Sequence, residues 1–128
     1  PGPGGERMHI AARAGKPAVS YYAVVEQAAQ TAAWVALMPL TGRTHQLRVH
    51  MAAIETPIVG DGKYGGEAAM VSGLSQKLHL HARQIEIQGP GRKALRIEAP
   101  LPEHMLETWK FFDLDPHNVQ DPFAELEL

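Results

Sequence analysis

Between Ala18 and Ala28 the residues AVSYYAVVEQA are β-branched and aromatic, bounded by Lys16-Pro17 and a polar turn, which predicts a strand. AAWVALMPL (32–40) follows after the short Gln30-Thr31 connection and is predicted to pair with it antiparallel. Its apolar character on both faces suggests a central place in a sheet, and Pro39 ends the run. Thr41-Gly42 then reads as a turn, Thr44 as an N-cap, and HQLRVHMAAI as a helix. Leu47, Met51 and Ile54 recur at i, i+4 and i+7 and form its predicted core stripe. Arg48 lies beside that stripe, and Arg43 precedes the helix near its first amides. After Ile58-Val59 comes a Gly-rich loop, in which Asp61-Gly62 reads as a tight turn needing positive φ. The spacing over 67–77 leaves a short helix and a loop equally open. LHLHARQIEI (78–87) alternates as a strand and is predicted to pair with 94–99 across GPGRK. Pro102 opens a last helix with Met105, Trp109 and Phe112 on one face. PGPGG at the start reads as a loop, and the acidic stretch from Asp113, with its two prolines, as a loosely attached tail.

Composition narrows the class only a little. The chain has 128 residues, 45% hydrophobic and 20% charged, as expected of one globular domain. No apolar run is long enough to span a membrane, and no membrane partner is expected. With no cysteine there is no disulfide framework or thiolate site, which fits a reducing compartment and a cytoplasmic location. The net charge of −2 conceals an asymmetry. From Glu103 onward seven acids face Lys110 alone, while residues 1–102 carry 11 basic against seven acidic side chains. A mildly basic body suits a polyanionic ligand. The chain begins at Pro1, as a piece of a longer one would.

Three stretches could carry chemistry. Seven histidines suggest a metal, but His45 and His50 are five apart where a helical ligand pair needs four. His79 and His81 would share one side of a strand, with no carboxylate at ligand spacing. GDGKYGG contains Lys63 but lacks the Gly-Lys-Ser/Thr ending of a phosphate loop, so a structural turn is the simpler reading. The third, PLTGRTHQLRVH (39–50), packs two arginines, two histidines and two threonines into twelve positions. Helix amides after Thr44 with Arg43 beside them make an anion-binding corner. A half-buried Arg48 needs an anionic partner, either one of this chain's own acids or a functional group. The residues alone leave both open.

GKPAVSYYAVVE, LMPLTGRTHQLRVHMAAIETPIVGDGKYGG, LHLHARQIEI and IEAPLPEHM, in that order, resemble the C-terminal half of RluA-type RNA pseudouridine synthases. The resemblance covers roughly residues 15–110. IETPIVGD replaces the more usual Gly-His before the proline, and His79 is an additional histidine. The resemblance implies an α+β fold, a mostly antiparallel mixed sheet with packed helices. Residues 1–112 would be the C-terminal part of the catalytic domain and 113–128 the acidic tail.

The family is marked by an upstream His-Arg-Leu-Asp segment with the catalytic aspartate, and by an upstream tyrosine on the target base. Neither is found here, since the only acids before the motif are Glu6 and Glu26. The family's arginine at the position of Arg48 pairs with that aspartate, so Arg48 is expected to have lost its partner and the chain alone to be inactive. Arg43, Thr44 and His45 are implied as RNA contacts. Gly42, Gln46, His50, Asp61 and Tyr64 are implied as site wall or scaffold. No metal or organic cofactor is implied. The expected partners are ribosomal or transfer RNA, and either a missing N-terminal half or a second copy joined through open strand edges. A non-catalytic RNA-binding module and a structural or interaction domain are the rival readings.

Overall fold

A computed structural model describes residues 6–11, 17–87, 95–118 and 122–123. Strands β1 (Glu6–Ala11), β2 (Pro17–Ala29) and β3 (Ala32–Pro39) form an antiparallel sheet in that order. The hairpin joining β2 and β3 turns at Gln30-Thr31, as the pattern predicts. β1 was not predicted. Its six residues offer only the alternation of Met8 and Ile10, and pairing with β2 (Met8 opposite Ser20, Ile10 opposite Ala18) decides its conformation. The central place expected for the 32–40 run belongs instead to β2. β3 pairs with β2 alone among the described residues, and its apolar side chains serve the end of the hairpin.

That end is where the core sits. Met105, Trp109 and Leu114 are buried together, with Ala28, Trp34, Leu101 and Phe112 packed around them. Trp34 and Trp109 meet edge to face at 5.3 Å between centroids, a geometry that contributes about 1 kcal/mol beyond burial. Trp109 lies on α3 (Glu103–Phe111), which starts after Pro102 as expected and carries Met105 and Trp109 on its buried face.

Helix α3 also corrects the tail. Its C-cap is Phe112, and Asp113 takes a left-handed φ of 57°. Asp113 N donates to Lys110 O (3.2 Å) and Leu114 N to Trp109 O (2.8 Å), the Schellman closure that throws the next residue back onto the helix. Leu114 is therefore core. Arg83 Nη2 then donates to Pro116 O and Asn118 O (3.2 and 3.1 Å), so 113–118 is docked. Most of the expected tail beyond it lies outside the described residues.

The strand expected over 78–87 is confined to β4 (Gln84–Ile87), paired antiparallel with β5 (Leu95–Glu98). Residues 78–83 are irregular because their hydrogen bonds go elsewhere: His79 N to Val59 O, His104 Nε2 to Leu78 O, and His81 Nε2 to Ala99 O. His79 and His81 therefore share no strand face. The GPGRK turn and the PGPGG loop lie outside the described residues. Over 67–77 a 3₁₀ turn (Gly66–Ala69) gives way to a loop.

Candidate active site at the corner between β3 and α1

Helix α1 (Gln46–Ala53) begins one residue later than the Thr44 cap predicts. Thr44 is exposed, and the N-cap is His45, in a left-handed conformation (φ 51°, ψ 26°) without a side-chain cap bond. The entrance is held by Gln46 instead. Its Oε1 accepts from Thr41 Oγ1 (2.6 Å) and Arg43 N (3.1 Å), while Nε2 donates to Val19 O and Ser20 Oγ (both 2.8 Å). One buried amide thus satisfies four groups and ties the corner to β2.

The buried face of α1 is Gln46, His50 and Met51, so the predicted Leu47/Met51/Ile54 stripe is displaced, and Ile54 is exposed. Fully buried Ser20 is the reason. Its Oγ accepts from Gln46 Nε2 and makes a second hydrogen bond with Nδ1 of His50, 2.8 Å away. The apolar spacing misled because β2 presents polar groups there. Ser20 went unnoticed in the sequence, although a small hydroxyl inside an apolar strand was the available signal.

The rotation that buries Gln46 and His50 leaves Arg48 at the rim. Its side chain is 20% exposed and meets a fully buried carboxylate: Nη2 to Asp61 Oδ1 at 2.8 Å and Nε to Oδ2 at 3.2 Å. Two parallel bonds of this kind fix a guanidinium's plane as well as its charge. The expected loss of Arg48's partner in this chain is corrected: Asp61 supplies one. Nor does Asp61 sit in a positive-φ turn with Gly62. The positive φ (85°) is at Gly60, where a Cβ would collide with the Lys77 carbonyl. Asp61 follows as the N-cap of a single-turn helix, α2 (Gly62–Gly65), accepting from Tyr64 N at 3.2 Å. Asp three residues before Tyr64 was a readable cap signal.

Electrostatics follow from these bonds. The Arg48 hydrogen bonds hold the Asp61 carboxyl below its ordinary range, against the opposing effect of burial, and the Tyr64 amide adds to the lowering. Arg48 is raised for the same reason. Both stay charged at neutral pH.

Tyr64 gathers the remaining groups. Its ring lies 5.2 Å from Arg48 Cζ and 5.4 Å from Lys63 Nζ, within cation–π range. Its hydroxyl is 2.8 Å from His45 Nδ1. Arg43 and Gly42 are exposed beside them, and a Cβ on Gly42 would meet no atom within 4 Å. The structure therefore brings Arg48, Asp61, Tyr64 and His45 together, with Gln46 and His50 as the scaffold behind. Thr44 joins no contact of the group. Among the described residues no three His, Asp or Glu side chains converge as a metal site.

Residues 6–53 match the RNA pseudouridylate synthase family. The dual-specificity RNA pseudouridine synthase RluA of Salmonella typhi is 44% identical over 88 residues, covering 69% of this chain and 39% of that protein. The ribosomal large subunit pseudouridine synthase D of Vibrio parahaemolyticus is 41% identical over 122 residues, covering 85% of this chain and 37% of that protein. The chain thus spans less than two thirds of these relatives' length. Among solved structures, human RNA Pseudouridylate Synthase Domain Containing 1 superposes with a TM-score of 0.55 at 27% identity, over 79% of this chain and 48% of the human one. From matched sequence and shared α+β architecture, the chain belongs to the RluA-type RNA pseudouridine synthase family.

Proposed function

We propose that this chain forms the arginine-bearing wall of an RNA pseudouridine synthase active site, and acts as part of a longer enzyme that isomerises uridine in RNA. The observation that carries the reading is the half-engaged guanidinium of Arg48. Asp61 takes its Nε and one Nη2 hydrogen, while Nη1 has no hydrogen-bond partner among the described residues and the side chain remains 20% exposed. A second carboxylate can reach that open side, which suits the family's pairing of this arginine with the catalytic aspartate.

The nucleophile belongs to another part of the enzyme, because these residues contain no His-Arg-Leu-Asp segment. Beside Arg48 its pKa would fall by about one to three units, leaving it ionised for attack on the nucleoside. The N1–C1′ bond breaks, the uracil turns, a C5–C1′ bond forms, C5 loses its hydrogen as a proton, N1 gains one, and the aspartate is released unchanged. The balance needs no redox partner. The uridine must leave its stack to be reached. Exposed Arg43 and His45, with Thr44 between them, supply contacts to the RNA backbone. Alone, the chain would be inactive. The Arg48–Asp61 pair itself favours one rival, a domain in which Arg48 is only structural.

Tritium release from C5 of labelled uridine in RNA tests both. The assay compares this chain, the longer protein that contains it, and Arg48→Ala in the longer protein. Release by the longer protein alone, abolished by Arg48→Ala, supports the reading. Release by this chain unaided, or unchanged release after Arg48→Ala, overturns it. RNA binding without release by either would leave a binding module, with affinity that falls steeply as salt rises. Neither release nor binding would favour the structural domain.

A further inference from the structure

One contact in the corner is not used by the role given to Arg48. His45 is one of three non-glycine residues with positive φ among the described residues. The other two, Glu55 and Asp113, close helix C-termini, whereas His45 stands at a helix start where no side chain caps. A strained conformation at such a place calls for a local reason. The conformation carries the imidazole to Tyr64, 19 residues away, with Nδ1 2.8 Å from the hydroxyl and the rings edge to face at 80°. The phenol is the stronger acid and the imidazole nitrogen the stronger base, so the hydroxyl donates to Nδ1. The ring proton must then sit on Nε2, at the opposite end of the imidazole. His45 is exposed, and Nε2 has no partner among the described residues.

Resting on the RNA-enzyme reading above, we infer that Tyr64 is a positioning residue: its hydroxyl holds His45 in the Nε2–H tautomer and presents that N–H to a phosphate oxygen of the bound RNA. The surroundings favour an oxyanion. Lys63 lies beside the Tyr64 ring and Arg43 two residues before His45, while the charge of Arg48, also on that ring, is already met by Asp61. The α2 turn fixes Tyr64 through its amide on Asp61, so the same carboxylate that holds Arg48 sets the height of the phenol. Backbone contact of this kind positions the strand without reading its sequence.

The test has two independent arms, both on the longest protein that contains this chain. Nitrogen-15 shifts of the RNA-free protein at pH 8 should show His45 as a single Nε2–H tautomer, and Tyr64→Phe should convert it to a mixture. An Nδ1–H tautomer in the unsubstituted protein overturns the inference, whatever the RNA does. In the second arm, Tyr64→Phe and His45→Ala should each weaken binding of a uridine-containing RNA about fivefold, the worth of one neutral hydrogen bond. The double variant should be little worse than either. Because a neutral donor displaces no counterion, the salt dependence should be unchanged, whereas Arg43→Ala should lower its slope by about one. Additive losses, or a fall in kcat without a rise in KM, overturn the positioning role. If the unsubstituted protein binds no RNA, the phosphate ligand and the RNA reading fall together, while the tautomer result still reports on the Tyr64 contact itself.

Discussion

Replacing Gln46 by glutamate tests the corner most sharply, because shape is kept and only hydrogens and charge change. Oε1 keeps its donors, Thr41 Oγ1 and Arg43 N. The other oxygen replaces an NH2 group that donated to Val19 O and Ser20 Oγ, and the Val19 carbonyl can only accept. The side chain is 6% exposed, so a carboxylate there is desolvated and set against an acceptor. Protonated glutamic acid donates one hydrogen bond and avoids both penalties, so folding favours it and raises the pKa above the free value of about 4.3. Between those two values the folded state binds more protons than the unfolded, and stability falls as pH rises. Below pH 4.3 the variant has lost about one hydrogen bond, roughly 1 kcal/mol. A rise of about two units would cost a further ~2.7 kcal/mol by pH 7. The total, near 4 kcal/mol, is a large part of an ordinary domain's stability. Urea unfolding of Gln46→Glu against the unsubstituted protein at each pH from 4 to 8 measures it. A difference that does not change with pH, or none at all, would refute the assignment of these four bonds.

Other substitutions probe the same framework. Glu55 occupies the left-handed position after α1 (φ 63°), with its amide on Ala52 O and Thr56 N on Met51 O. Glu55→Gly should therefore stabilise by about 1 kcal/mol in urea melts. Gly60→Ala should destabilise by more than about 2 kcal/mol, because it adds left-handed strain to a collision with the Lys77 backbone. Burial, and secondarily His104, lower the His79 pKa, so its contribution is present above about pH 6.5 and is lost as pH falls through the folded value. His79→Asn should flatten that acid limb in thermal melts. Asp61 is lowered chiefly by Arg48, so the pair's contribution is full above about pH 4 and disappears only as pH falls through the lowered value. Asp61→Asn should remove that more acidic limb.

Much of the fold was legible because local pattern and tertiary packing agree. The β2–β3 hairpin and α3 show it: their apolar runs are the surfaces the core uses. The failures cluster where a polar group is buried. Helix α1 was rotated wrongly, since Gln46 and His50 outrank Leu47 and Ile54 once Ser20 lies beneath them. Asp61 reads locally as a turn residue because its partner, thirteen positions earlier, is invisible to local pattern. The stretch from Asp113 reads as a loosely attached tail because acids and prolines conceal one Leu114, which Asp113 returns to the core. The candidate site came mostly from the motif resemblance. Its internal hydrogen bonds, between residues thirteen to thirty positions apart, have no local sequence signal.

A helix docked through apolar side chains can turn a little and find new contacts, because grease has no direction. Helix α1 has no such freedom around Gln46 and His50. A slip of one residue would turn it by about 100° and strand the hydrogen-bonding groups of Gln46, Ser20 and Val19 at once. The interface works as an index pin, with one permitted setting. Arg48 rides on that setting, two positions from each pin, so its bearing is fixed from the far side of the helix. Enlarging the apolar contacts of α1 should strengthen the docking while loosening the aim.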